Sequence, residues 1–250
     1  TAIIQIGTEL AVILYFRHDI IRILGAWFGS LFGKEGKDFK SRMGAHNPDT
    51  QMGWFIILGT MPILIAGLLF KHAIEGSLRN LWITVTVLAL FGVLLWVVDA
   101  RSKQVKTMKE MTWKDALIFG IGQMLALIPG VSRSGGTITF GRAMGYTREA
   151  AVRVSFLMAI PAVFGAGILE AVSAVKDVAA GDAGMFPGWG PTIAAAIVAF
   201  VVGYVVIIGF LKFVSTFSYK AFAIYRIGLA IVVALLLITG VLSPLEAAAA

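Results

Sequence analysis

Apolar positions along this chain fall in long unbroken runs, not in the alternation of a half-buried strand. The runs at 53–70, 81–98, 152–172, 191–213 and 222–241 each hold the roughly 20 residues that, at about 1.5 Å per residue, cross a hydrocarbon core about 30 Å thick. They predict five membrane-spanning helices, and 1–16 predicts all or part of a sixth. The apolar pieces at 116–128 and 137–144 are too short to span and flank a polar gap. Unwound backbone survives at membrane depth only where protein buries it or it lines a wet cavity. These pieces therefore predict half-helices in a re-entrant hairpin over about 115–147. The fold expected is an all-α integral membrane protein, a polytopic helical bundle with broken helices in a single domain over 1–246, and an alanine tail at 247–250. The like settings of Pro62 in TMPILIAG and Pro161 in AIPAVFGAG suggest an internal repeat and kinked spans.

Composition removes the soluble alternatives. With 58% hydrophobic and 14% charged residues, and a mean hydropathy of +0.88, the chain has too little polar surface to coat a globule. It has no cysteine, which excludes disulfides, thiol catalysis and thiolate metal sites. The net charge of +7 is carried mainly by Arg17, Arg22, Lys34, Lys37, Lys40 and Arg42 before the first of the five runs, and by Arg101, Lys103, Lys106, Lys109 and Lys114 after the second. Both stretches read as cytoplasmic loops touching anionic lipid, with 71–80 and 173–190 outside and nucleic acid excluded as a partner. The hairpin then enters and leaves on the cytoplasmic side. The chain begins at Thr1 inside an apolar segment, so no signal peptide is assigned.

The polar gap carries the chemistry. LIPGVSRSGGTITFGR, at 127–142, sets Ser132, Arg133 and Ser134 among Pro129, Gly130, Gly135 and Gly136. An arginine at membrane depth costs roughly 2.5–3.5 kcal/mol on insertion scales, so function is its default explanation. Pro129 ends one helix, and the glycines open backbone conformations and allow close approach by a ligand. A helix starting near Thr137 would point its N–H groups back into the loop, where anions collect. Adding the Arg133 fork and the hydroxyls of Ser132, Ser134 and Thr137 makes a phosphate cradle with a potential nucleophile. The plainer alternative is a polar kink with Arg133 snorkelling or paired to a carboxylate.

Other polar residues admit two readings as well. Glu9 lies in an apolar run, where it either binds a divalent cation, pairs with Arg226 or faces a wet cavity. Gln5 shares its helix face. Arg226 begins the last run and either snorkels or turns inward. His18, His46 and His72 lie in or beside basic or turn segments and read as solvent-exposed. Thr147 is a candidate N-cap for the helix of the 152–172 run, with Glu149 as a first-turn acid.

PGVSRSGGT at 129–137 resembles the P-G-x-S-R-S-x-x-T signature of bacterial undecaprenyl-diphosphate phosphatases of the bacitracin-resistance type. The likeness extends to Gln123 in GQMLAL, to QIG at 5–7 and to FAIYR at 222–226. It implies removal of the terminal phosphate of a C55 polyprenyl diphosphate, which regenerates the lipid carrier of cell-wall precursors. It also implies an inverted-repeat fold with re-entrant hairpins in the bacterial inner membrane, and an active site open to the periplasmic side. By the same resemblance Ser132 is nucleophile or phosphate ligand and Arg133 the phosphate clamp, while Ser134 and Thr137 are supporting donors. Gln123, Gln5 and Arg226 are further contributors, and the cofactor is a divalent cation, Mg2+ or Ca2+. The partners implied are the polyprenyl diphosphate and the membrane, with a homo-oligomer left open.

The family pattern also has an upstream motif, E-G-x-T-E-F-L-P-x-S-S-x-G-H, which this sequence lacks; Gln5 and Glu9 match only its bare Q-x-x-x-E spacing. The chain is therefore expected to be truncated ahead of Thr1 and catalytically incomplete. Two other function classes stay open. A secondary transporter or flippase also aims broken helices at anions, and a membrane scaffold would leave Arg133 unexplained.

Overall fold

The computed structural model describes residues 2–179 and 188–245, with the side chains at 2, 3, 5, 75, 166, 168–171, 173–175 and 177–179 left aside. The alanine tail at 247–250 and residues 180–187 of the expected 173–190 loop fall outside these positions, as does the side chain of Gln5, while 173–179 continue a helix instead of forming loop. Eleven helices are described: α1 Ala2–Tyr15, α2 Arg17–Leu31, α3 Phe39–Arg42, α4 Pro48–Leu69, α5 Lys71–Glu75, α6 Leu81–Arg101, α7 Trp113–Met124, α8 Arg133–Ala143, α9 Arg148–Ala179, α10 Trp189–Thr216 and α11 Lys220–Ile238. Among the described residues α4, α6, α10 and α11 are long and apolar enough to cross a membrane. The fifth expected run, 152–172, lies inside the 32-residue α9. The chain is an all-α polytopic membrane protein. Pro62 and Pro161 both sit within continuous helices.

The stretch expected as a basic loop after residue 16 differs from the prediction. Its first half is the 15-residue α2. At 15 residues, with Arg17, His18, Asp19 and Arg22 in its first half, it is too short and too charged for a span, and it encloses Ile23, Gly29 and Ser30.

Two compact units emerge, one formed by 1–54 with 156–213 and the other by 55–155 with 214–250. In the first, α1 and α10 approach closely: a Cβ on Gly7 would strike the Ala196 carbonyl, and Gly203 lies against Thr8 and Ala11. Such small-residue contacts let helices associate in lipid, where packing replaces water exclusion as the driving force. The α2–α4 connection is tied by Arg22 to Asp49 at 3.1 Å and by Thr50 to Glu35 at 3.0 Å.

In the second unit α6 and α11 form a long packed pair around Val85, Ala230 and Leu237, with Gly92 admitting the Arg226 and Ile227 side chains. The helices α7 and α8 form a hairpin against this pair. Thr112 and Asp115 cap α7 reciprocally, which fixes its start. Its buried residues, Asp115, Ala116, Phe119, Gly120, Gly122 and Gln123, form one stripe. Glycines bring the backbones together, with Gly120 against the Gly59 backbone of α4 and Gly122 against Gly136 of α8.

The helix α6 gives the hairpin a ruler. Gly130, at the closed end, is so near α6 that a Cβ would meet the Thr84 carbonyl and the Leu88 amide. At the open end Arg142 pairs with Asp99 at 2.8 Å. At about 1.5 Å per residue, Thr84 and Leu88 lie about 5–10 Å from the Leu81 end of α6 and Asp99 about 27 Å from it. The hairpin tip therefore reaches the level of α6 farthest from Arg101.

Candidate functional site

Pro129 and Gly130 stop the α7 side of the hairpin; Gly130 has φ +99, a conformation glycine adopts without penalty. The next helix starts at Arg133, four residues earlier than expected near Thr137. Ser132 caps it, its Oγ accepting from the Gly135 amide at 3.3 Å, so Arg133 and Ser134 occupy the first turn. Ser132 holds φ 67 and ψ 127, and only Gln104 shares a positive φ among the described non-glycine residues. Such a conformation costs on the order of 1–3 kcal/mol and recurs at ligand-binding positions. Ser132 and Arg133 are exposed, and Ser134 is half-buried.

Arg226 completes this head. It does not snorkel: it is 8% exposed, and its Nη2 donates to the Gly130 carbonyl at 2.5 Å. Its Nη1 lies where a Cβ on Gly135 would come within 2.6 Å, and its buried Nε has no hydrogen-bond partner among the described residues. The Arg226 guanidinium, the Ser132 hydroxyl and the first-turn amides of α8 thus gather at one helix head, which Arg133 and Ser134 begin. Anions favour such a place, and arginine forks match phosphate oxygens.

Several expected contributors have other work. Thr137 is fully buried, and its hydroxyl donates to the Arg133 carbonyl at 2.7 Å. It supports the helix instead of offering a donor to a ligand, because the earlier helix start moves it into the second turn. The glycines were expected to admit a ligand, but protein fills their space: Thr84 at Gly130, Arg226 at Gly135 and the Gly122 backbone at Gly136. Gln123 is fully enclosed on the packed stripe of α7, and neither amide atom has a hydrogen-bond partner among the described residues. Glu9 is half-buried in α1, its carboxylate packed where a Cβ on Gly167 would stand. Among the described residues no group of three metal-ligating side chains gathers; a lone carboxylate does not make a divalent site. His18, His46 and His72 are exposed.

The other end of the hairpin holds a polar cluster that sequence reasoning missed. Arg142 is fully buried and donates to the Asp99 carboxylate at 2.8 Å, to the Tyr146 carbonyl at 2.5 Å and to the Asp99 carbonyl at 3.2 Å. Arg148 also pairs with Asp99, at 3.0 Å, and the Tyr219 amide donates to it at 3.1 Å. The only sequence signal was Asp99 at the close of an apolar run. Nearby, the Tyr146 hydroxyl donates to Asp115 at 2.9 Å. Burial pushes the Asp115 carboxyl up, but hydrogen bonds from Tyr146 and Thr112 outweigh it and leave the group below its ordinary value. Burial and the Asp115 carboxylate push the Tyr146 phenol up.

Comparison with known proteins matches this arrangement to a family. The model of Bacitracin resistance protein BacA covers residues 1–232. An undecaprenyl-diphosphatase of Bifidobacterium adolescentis is 92% identical over 250 residues, 100% of this chain and 85% of the relative. One from Bifidobacterium animalis subsp. lactis is 76% identical over 98% of this chain and 83% of its own length. A more distant one, from Pseudarthrobacter chlorophenolicus, is 52% identical over 97% of this chain and 84% of its own. The likeness first carried by PGVSRSGGT therefore extends through nearly the whole sequence, and the chain belongs to the BacA bacitracin resistance protein family.

Proposed function

We propose that this chain is a membrane phosphatase that hydrolyses undecaprenyl diphosphate to the monophosphate and inorganic phosphate, recycling the carrier lipid of the cell wall. The observation that carries the reading is the head of α8, where Ser132 is held at φ 67 beside Arg133 and beneath Arg226. The names of the relatives agree with it. Phosphoryl transfer depends mainly on positioning and on fixed positive charge around the equatorial oxygens. In this reading Arg133 and Arg226 clamp the terminal phosphate, while the first-turn amides and Ser134 orient it. Ser132 serves as phosphate ligand or nucleophile, and the polyprenyl tail leaves along apolar helices. A preorganised donor of this kind is worth about 3 kcal/mol in the transition state.

The reading includes a site. With the basic stretch Lys103, Lys106, Lys109 and Lys114 in the cytoplasm of a bacterial inner membrane, the hairpin is re-entrant and its tip, level with Thr84 and Leu88, opens toward the periplasmic side. A divalent cation, Mg2+ or Ca2+, belongs to the proposal as a companion of the diphosphate, and no step is assigned to it, because the described carboxylates do not form a cage for it.

The test is phosphate release from a C55 or shorter prenyl diphosphate in detergent by the full-length protein, with and without chelator. Arg133→Ala is expected to lose turnover by about 100-fold or more with its fold retained; undiminished turnover would remove the clamp. Vesicle flux of the lipid without hydrolysis would instead favour the transporter or flippase reading.

A further inference from the structure

The helix α8 carries the proposed phosphate site at one end and a fully buried arginine at the other. Along its flanks glycines set how closely α8 packs: Gly136 faces the Gly122 backbone, and Gly141 seats the Phe119 ring. These contacts hold the helices close. The directed polar bonds to neighbouring segments lie at the ends. At the C-terminal end Arg142 makes bonds in three directions, two to Asp99 and one to the Tyr146 carbonyl. Asp99 is itself fixed from two further segments, by Arg148 at 3.0 Å and by the Tyr219 amide at 3.1 Å. Its side chain is 3% exposed. At the other end Arg226 of α11 grips Gly130, and α11 packs along α6. The α6–α11 pair thus holds α8 at both ends, through Asp99 and through Arg226.

We propose that Asp99 is a positioning residue for diphosphate hydrolysis. Acting through Arg142, it sets how far α8 extends along α6 and so the height at which Ser132 and Arg133 meet the phosphate. This rests on the phosphatase reading. A buried ion pair adds little stability over a well-packed apolar pair, whereas its directed bonds specify one register. A helix of 11 residues is stiff over its length of about 16 Å, so a displacement at Arg142 arrives at Ser132. A misplacement of about 1 Å at reacting groups costs up to about 100-fold in rate.

Arg142 and Arg148 make the test sharp, because both pair with Asp99 but only Arg142 lies on α8. Turnover of a prenyl diphosphate, Tm in detergent and hydrogen exchange of a peptide covering 130–137 are measured on the purified full-length protein. Arg142→Lys is expected to lower kcat by about tenfold or more at nearly constant KM and to speed exchange at Ser134–Gly136. Arg148→Gln is expected to lower Tm to a similar extent while kcat per folded molecule stays within about twofold. If Arg142→Lys does not fold, Asp99→Glu, which keeps the charge but moves the anchor by one methylene, carries the same expectation.

Losses of kcat that track Tm equally in both arginine variants would overturn the positioning role and leave the phosphatase reading intact. Absence of hydrolysis by the wild-type full-length protein would instead sink the phosphatase reading. The exchange measurement then decides alone: unchanged exchange at 134–136 in Arg142→Lys overturns the coupling, and faster exchange supports it.

Discussion

Gly135→Ala isolates the contribution of Arg226 without touching either arginine. A Cβ at this position would stand 2.6 Å from Arg226 Nη1 and 3.2 Å from the Ser132 Cβ. The nearer neighbour is the far end of a flexible side chain, so it moves while the backbone stays. Leaving its place breaks the bond to the Gly130 carbonyl, a charge-assisted contact worth about 1.5–3 kcal/mol. The gain in helix propensity from glycine to alanine returns up to about 1 kcal/mol. The net loss of stability is therefore about 0.5–2 kcal/mol when that gain is realised in full. Removing a preorganised donor from a developing charge costs about 2.7–4 kcal/mol, or about 100- to 1000-fold in kcat. The expected result is a folded protein with a slightly lowered Tm and turnover reduced by at least two orders of magnitude. Gly120→Ala supplies the contrast. Its Cβ would meet the Gly59 backbone, which cannot swing aside, so Tm should fall by more while turnover per folded molecule holds. Phosphate release and thermal unfolding on the two variants decide the matter. Full turnover in folded Gly135→Ala would refute a role for Arg226 at the phosphate.

Further outcomes follow from other positions. Ser132→Gly relieves a conformation costing about 1–3 kcal/mol and loses only a few tenths as a cap, so Tm should hold or rise while turnover falls; a clear drop in Tm would mean the serine is not strained. Gln123→Met replaces a buried amide without partners by an apolar chain of similar volume, and Tm should rise by removal of a penalty of about 1–3 kcal/mol. A fall in Tm would show that an internal water or ligand satisfies the amide. Because the folded-state pKa of Asp115 is depressed, its contribution is present above the ordinary carboxylate range and lost as pH falls through the lowered value. Asp115→Asn should therefore flatten the acid side of a Tm-against-pH profile, and an unchanged slope would remove Asp115 from the account.

The spans were readable because lipid imposes a length on apolar runs, and α4, α6, α10 and α11 follow them. The hairpin was readable from Pro129, Gly130 and two runs too short to cross. The start of α8 was misjudged because Gly135 and Gly136 suggest loop, whereas a serine cap and close packing on α7 hold them helical. Arg133 was found by the cost of its charge. Arg142, equally costly, was hidden: its partner Asp99 lies 43 positions away, and no local pattern announces such a pairing. Arg226 could be read either way until α11 was seen packed on α6, which turns its side chain toward Gly130. Gln123 entered through the resemblance that extends to GQMLAL, and periodicity along α7 places it on the buried stripe.

The groups that hold α8 arrive at different times as the chain is made. Asp99 and Arg142 can meet once the hairpin is synthesised, but the Tyr219 amide and the Arg226 clamp lie close to the last helix. At about 5–20 residues per second, Arg226 follows Arg142 by roughly 4–17 s. During that interval the nascent protein carries Ser132 and Arg133 without Arg226, so under the proposed phosphate-clamp reading the site is completed only when α11 has been made. On that reading, the order of synthesis delays the site until α11 packs on α6.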